Sequence, residues 1–426
     1  MHKKYILLND LITTRRDFLK LSGIAALEVL TAGQLARPVS ARNSRPMEQT
    51  SYDSSRDPES MTLFLCGDVM TGRGIDQVLP YHNNPRLYEP YVTTAQVYVE
   101  IAEQMNGPIP APVDFSYVWG DALTEFQRVT PDVRIINLET AVTTSEDHWE
   151  AKGIHYRMHP ANVPCLTAAR IDCCVLANNH VLDWGYKGLV DTLQALEKAN
   201  MKTAGAGRSF EAARAPAVVE ARGKGKVLVF AFGCESSGIP PDWAAAEKGP
   251  GVNLLQDLSP KTVQRIADQV RTVKRAKDVV VASIHWGSNW GYGIPREQQV
   301  FARQLIDEAD VDVVHGHSSH HPKGIEVYKD KPILYGCGDF LNDYEGISGY
   351  EEFRDDLVLM YFVTLNPLSG KLARLEMIPM QIKRFRLNRP SVADIRWLQR
   401  TLDRESRKLG AAVELTEENH LRLRWE

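Results

Sequence analysis

The 426-residue chain lacks several features that would assign it at once. It has no apolar run near the ~20 residues that cross a bilayer as a helix. It has no internal repeat, and so no solenoid or propeller. Its formal net charge is −4, which leaves no basic footprint for nucleic acid. Its six cysteines are scattered and none forms a C-x-x-C pair, which excludes a zinc ribbon or a dithiol redox motif. Cys173 and Cys174 are adjacent in a strand-like run and point to opposite faces. The cysteines read as small buried apolar residues.

The N-terminal segment reads as an address rather than as fold. Arg15 and Arg16 precede Phe18-Leu19-Lys20, a mildly apolar stretch follows, and Val39-Ser40-Ala41 ends it. This resembles a twin-arginine signal peptide over 1–41 and implies an exported, periplasmic or envelope-associated chain. A polar linker is expected over 42–60. The main domain is expected over 61–385, with a C-terminal helical extension over 386–426.

From Met61 onward, short apolar runs alternate with amphipathic ones. "MTLFLCGD", "VRIINLET", "IDCCVLANNH", "KDVVVASIHWG" and "ADVDVVHGH" read as strands. "GLVDTLQALEKAN", "PKTVQRIADQVRTVKRAK" and "REQQVFARQLIDEA" carry apolar residues at helical spacing. Ser259 is the expected N-cap of the second, with Pro260 in its first turn. This alternation predicts an α/β fold. Farther on, "GIEVYKDKPILYGCGDF" predicts a hairpin turning at Lys329 to Lys331. "DDLVLMYFVTL" and "KLARLEMIPMQI" predict two long antiparallel strands. Residues 81–112 read as a long surface insertion.

The five strand-like runs end in polar residues: Asp68, Glu139, Asn179 with His180, His285 and His317. Ligands of open α/β sheets sit at strand C-termini. Carboxylate, amide and imidazole donors together suit a divalent metal, and the set does not separate Mn, Fe, Zn, Mg and Ca. One or two ions per chain fit it. His180, next to the expected ligand Asn179, is placed to protonate a leaving group. Of the four histidines in "VVHGHSSHHPKGIEV", His317 reads as a ligand and His315 as structural. Arg73, between Gly72 and Gly74, could grip a substrate carboxylate or phosphate, as could Arg157 in "HYRMHP".

The motifs "GDVMTGRGID", "NLET", "LANNHVLDWGYKGL", "HWG", "GHSSH" and "YGCGDF" follow one another over roughly 62–363. In that order they resemble the CapA family, capsule and poly-γ-glutamate synthesis-type proteins within the calcineurin-like metallophosphoesterase superfamily. The resemblance implies a four-layer α/β/β/α sandwich. It implies metal ligands at Asp68, Glu139, Asn179, His285 and His317, with His180 as acid and His320, completing the last histidine pair, as a second catalytic residue. Where the superfamily carries a histidine two residues after the first aspartate, this chain has Met70, a poor ligand for a hard ion. Asp339 stands where Asn is common and adds a carboxylate near the rim.

These features leave four functions open. The first is a metal-dependent hydrolase or transferase acting on an anionic polymer or peptide, within a capsule-synthesis membrane complex. The others are a general phosphoesterase, a metal-assisted peptide epimerase-like enzyme, and a non-catalytic polymer-binding protein.

Overall fold

Register explains how residues far apart in sequence meet. In the computed structural model, which describes residues 59–150 and 152–426, His285 and His317 are direct neighbours on parallel strands Val279–His285 and Val313–His317. Asp68 lies beside Asn137 on one side and beside Asp339 on the other. The twin-arginine segment and nearly all of the 42–60 linker lie outside the described residues. Residues 59–347 and 352–426 belong to one compact unit, and 348–351 fall outside it.

The molecule is a mixed α/β protein with two large sheets. The first is ordered Asp339–Leu341, Asp68–Val69, Val133–Leu138, Met61–Leu65, Leu357–Leu365, Leu372–Lys383, Leu421–Trp425, Ala411–Leu415. Cys173–Val175 and Lys202–Ala204 extend it beside Val133–Leu138. The second is ordered Leu254–Leu255, Gly225–Cys234, Val279–His285, Val313–His317, Lys331–Leu334, Ile325–Tyr328. The two sheets share one apolar core, where Leu63, Ile135, Cys173 and Leu359 of the first meet Val229, Val281 and Val313 of the second.

Strand periodicity assigns the faces. Val279 and Val281 enter the inter-sheet core, whereas Val280, Ala282 and Ile284 face helices Pro260–Val273 and Arg296–Glu308. A strand buried on both faces reads as a continuous apolar run, as "VVVASI" does. The Pro260–Val273 helix buries Val263, Ile266 and Val270, each contributing roughly 1.5–3 kcal/mol. Ser259 caps it by accepting from the Thr262 amide, as expected. On the outer face of the first sheet, Phe64 meets Phe126 of helix Ala122–Val129 edge to face at 4.7 Å.

The hairpin Ile325–Tyr328/Lys331–Leu334 and the long pair Leu357–Leu365/Leu372–Lys383 form where predicted. Two expectations need correction. Residues 386–426 are not a helical extension: helix Val392–Arg407 is there, but Leu421–Trp425 pairs with Leu372–Lys383 and joins the first sheet. The 81–112 insertion contains helix Gln96–Asn106, and it buries Glu89 and Tyr98 against Arg73. All six cysteines are buried and free. Among the described residues, no helix is long and apolar enough to cross a membrane.

Candidate metal centre

The centre is assembled from strand ends and the loops just beyond them. Asp68 opens its short strand, and Gly67 before it lies so close to its neighbour that an added Cβ would come within 1.7 Å of the Gly338 carbonyl oxygen. Only glycine lets the Asp68 and Asp339 segments approach this way. Asp68 Oδ1 accepts from Asn137 Nδ2 at 2.7 Å, and Oδ2 from the Ser318 amide at 3.2 Å. Asp68, His285 and His317 place ligand atoms within 4.8 Å of one another; so do Asp68, His320 and Asp339.

The other expected ligands lie beside the first trio. Asn179 Oδ1 is 2.9 Å from His285 Nε2, and Glu139 Oε1 is 3.9 Å from the same nitrogen. The doubled asparagine divides its labour. Asn178 Nδ2 donates to Asn137 Oδ1 and to the Leu138 carbonyl, and its Oδ1 accepts from the His180 amide. That brace leaves Asn179 facing the histidines. His315 lies beneath: its ring is hydrogen-bonded to the Cys66 carbonyl and to Ser283, whose hydroxyl also meets His317 Nε2. Its two ring nitrogens are thus taken by these partners. His321 packs against Phe353, Trp290 and Tyr292, outside either trio.

Burial dominates the electrostatics. It pushes the Asp68 carboxyl up to about 7, with Asp339 adding repulsion, and it raises Glu139, where Asp68 adds to it. It drives the His285 and His317 rings well below the usual imidazole range. Without a cation, these groups are held toward protonated carboxyls and neutral imidazoles. A dication reverses the balance for the carboxylates and uses neutral imidazole lone pairs directly. Donor types, burial and spacing therefore fit a divalent ion.

His180 stands at the edge of this cluster. Its Nδ1 is 2.6 Å from Asp183 Oδ2, and its Nε2 is 3.8 Å from Glu139 Oε1. Lys152 reaches the other Asp183 oxygen at 2.6 Å, and Asp183 also accepts from the Tyr156 amide at 2.7 Å. Burial outweighs the Asp183 charge and lowers the His180 ring to about 4. Asp183 was not singled out from sequence, although its place three residues after His180 in "NNHVLD" was a usable signal. His320 Nδ1 is 2.8 Å from Asp339 Oδ1; burial opposes its charged form, but Asp339 raises the ring on balance.

The two arginines correct the substrate-binding expectation. Arg73 is buried: Nε and Nη2 engage Asp343, Nη1 engages Glu89 and Tyr98, and its guanidinium lies 3.9 Å from the Tyr98 ring centroid. Arg157 is buried too, donating to the Ser145 and Asn84 carbonyls, pairing with Glu146, and covering the Trp184 ring at 3.7 Å. Both are committed to internal partners.

Residues 62–344 match the family model described as bacterial capsule synthesis protein PGA_cap. The chain is 48% identical over 366 residues to a Mycobacterium tuberculosis protein named "probable polyglutamine synthesis accessory protein", covering 86% of this chain and 96% of that one. It is 24% identical over 328 residues to the capsule biosynthesis protein CapA of Bacillus anthracis, covering 77% and 69%. It is 28% identical over 263 residues to the PGA biosynthesis protein CapA of Bacillus subtilis, covering 60% and 64%. Sequence and site together assign this chain to the CapA (PGA_cap) family.

Proposed function

We propose that this chain is an exported, metal-dependent CapA-type enzyme that hydrolyses or transfers a bond in poly-γ-glutamate or a related envelope polymer. The observation that carries the reading is His180. Its ring is held by Asp183 on one nitrogen, while the other faces Glu139 beside the candidate ligands. The two sheets with helices on their outer faces support the four-layer α/β/β/α sandwich of calcineurin-like metallophosphoesterases. Substrate comes from the relatives' names and family, and export from Arg15 and Arg16.

A divalent ion held by Asp68, Glu139, Asn179, His285 and His317 would polarise the bond under attack and stabilise charge developing on its oxygen. His180, which burial holds neutral, would take a proton at Nε2 from the attacking group and pass it on to the leaving atom. Asp183 keeps the Nδ1 proton in place and steadies the ring, and Lys152 anchors Asp183. Oriented acids of this kind contribute ~10²–10⁴ in rate.

One observation favours a second reading, acid/base chemistry at a carbon beside a peptide carbonyl. His180 with Asp183 and His320 with Asp339 form two carboxylate-backed histidines, both within electrostatic reach of His285. A panel of a chromogenic phosphodiester, γ-linked glutamate peptides and solvent-deuterium uptake into a peptide tests the proposal. Cleavage or transfer of the γ-linked peptide is expected. Deuterium uptake without cleavage selects the second reading, and phosphodiester turnover alone selects a general phosphoesterase. Tight polymer binding with no turnover selects a binding protein.

A further inference from the structure

Tyr344 stands between the two carboxylate-backed histidines. Its ring packs edge-on against His320 at 5.4 Å. Tyr156, whose hydroxyl donates to the Tyr344 oxygen at 3.2 Å, packs edge-on against His180 at 4.7 Å. Tyr344 lies within electrostatic reach of Asp339 and Glu139. Tyr156 is sealed inside the protein, whereas Tyr344 is half-buried. The segment that carries Tyr344 is pinned at every residue from Asn342 to Glu345. Asn342 Nδ2 donates to Asp339 Oδ2 at 2.8 Å, and its Oδ1 accepts from the Tyr344 amide at 3.2 Å. Asp343 accepts from Arg73 and from the Gly74 amide, and Glu345 from the Arg384 and Phe385 amides.

The Tyr344 hydroxyl has a hydrogen in reserve. Its oxygen takes the Tyr156 donor, and among the described residues its own hydrogen meets only the Met70 sulfur, at 3.5 Å. A thioether is a weak acceptor. A carbonyl or phosphoryl oxygen entering the centre is a far stronger one, and the hydroxyl hydrogen can turn toward it. A hydroxyl that accepts one hydrogen bond also gives a stronger one, because chains of such bonds polarise each other. Arg73 packs against both rings, 4.5 Å from the Tyr156 centroid and 5.8 Å from that of Tyr344. The donor is therefore held in place before any substrate arrives.

We infer that Tyr344 is a further catalytic residue: its hydroxyl donates a hydrogen bond to the substrate oxygen on which negative charge develops, and Tyr156 is its positioning residue. The proton stays on the phenol, so no bond is made or broken at Tyr344. A pre-organised donor of this kind acts where charge appears in the transition state and needs no rearrangement at that moment. Met70, two residues after Asp68, cannot donate a hydrogen bond, and Tyr344 brings a donor to its side of the centre. The inference rests on the catalytic reading above and adds to it the group that meets the substrate oxygen.

The test compares the full metal-loaded chain with Tyr344→Phe and Tyr156→Phe, each of which removes one oxygen and keeps the ring. Circular dichroism melts and metal analysis follow fold and occupancy. A γ-linked glutamate peptide reports turnover. Its phosphinate analogue, whose tetrahedral oxygens mimic the transition state, reports binding by calorimetry. Tyr344→Phe should keep its metal, lower kcat by ~10²–10³ and leave KM near that of wild type. Its binding of the phosphinate should weaken roughly tenfold or more. Tyr156→Phe should lose less on both counts. Unchanged kcat and phosphinate binding in folded Tyr344→Phe overturn the inference. Loss of metal from that folded variant also overturns it, since Tyr344 would then serve the ion rather than the substrate. A larger loss in Tyr156→Phe than in Tyr344→Phe overturns the division of roles. A wild type that binds the phosphinate without cleaving the peptide contradicts the proposed enzyme, and the oxygen-binding role of Tyr344 is then decided by phosphinate binding alone. A wild type that neither cleaves nor binds overturns both.

Discussion

His180 and Asn179 are neighbours with separable duties. Asn179 Oδ1 meets His285, whereas His180 hangs on Asp183. His180→Ala should lose ~10²–10⁴ in turnover and keep its metal. Asn179→Ala should lower metal content as well. Metal loss in His180→Ala but not in Asn179→Ala would reverse the roles. Gly67 makes a separate point at this scale. The Gly338 carbonyl at 1.7 Å from its absent Cβ leaves no room for alanine. Gly67→Ala should force Asp68 and Asp339 apart. It should cost on the order of 1–3 kcal/mol and reduce bound metal. Thermal melts and metal analysis of that variant check this, and an unchanged melting temperature would contradict it.

At the scale of elements, the C-terminal strands should be inseparable from the first sheet. Glu376 on Leu372–Lys383 pairs with His420 at 2.7 Å, beside the start of Leu421–Trp425, and Arg374 also reaches it. Burial works against this carboxylate, but His420, Arg374 and Arg128 outweigh it and hold it at about 2. Its folded pKa is therefore below its unfolded value of 4.5. The stability it confers is present above pH 4.5 and lost as pH falls from there toward about 2. The whole contribution is on the order of 3 kcal/mol. Denaturant unfolding at pH 6 and pH 3 should show a smaller difference for Glu376→Gln than for wild type. Equal differences would contradict the role given to this pair.

Elements also show what could be read in advance. The strand ends were legible because an apolar run followed by Gly-Asp, Asn-Leu-Glu or His-Trp-Gly shows both the strand and the residue leaving it. Arg73 was misread because its partners Glu89 and Asp343 lie 16 and 270 residues away, and no local pattern shows that pairing. Residues 386–426 were misread because Ala411–Leu415 and Leu421–Trp425 are five-residue strands. Their pairing with a distant edge, not their own periodicity, makes them sheet. Asp339 was noticed, but its meeting with His320 depends on the parallel pairing of its strand with that of Asp68.

Across the whole molecule, three cations of the site region are matched by acids. Arg73 faces Asp343 and Glu89, Arg157 faces Glu146, and Lys152 faces Asp183. An anionic polymer drawn to this mouth would therefore be held chiefly by metal charge. Chelation should abolish binding of γ-linked glutamate oligomers, and restoring the metal should restore it, as calorimetry would show. Undiminished binding after chelation would move the polymer site elsewhere on the surface. Export is read from Arg15 and Arg16, and changing both to lysine should retain the chain in the cytoplasm. Metal content of chelator-free protein tests the metal centre most directly. Wild type should carry at least one divalent ion per chain, and Asp68→Ala and His317→Ala should each lose most of it. Stoichiometry unchanged in both variants, or no metal in wild type, would contradict the account.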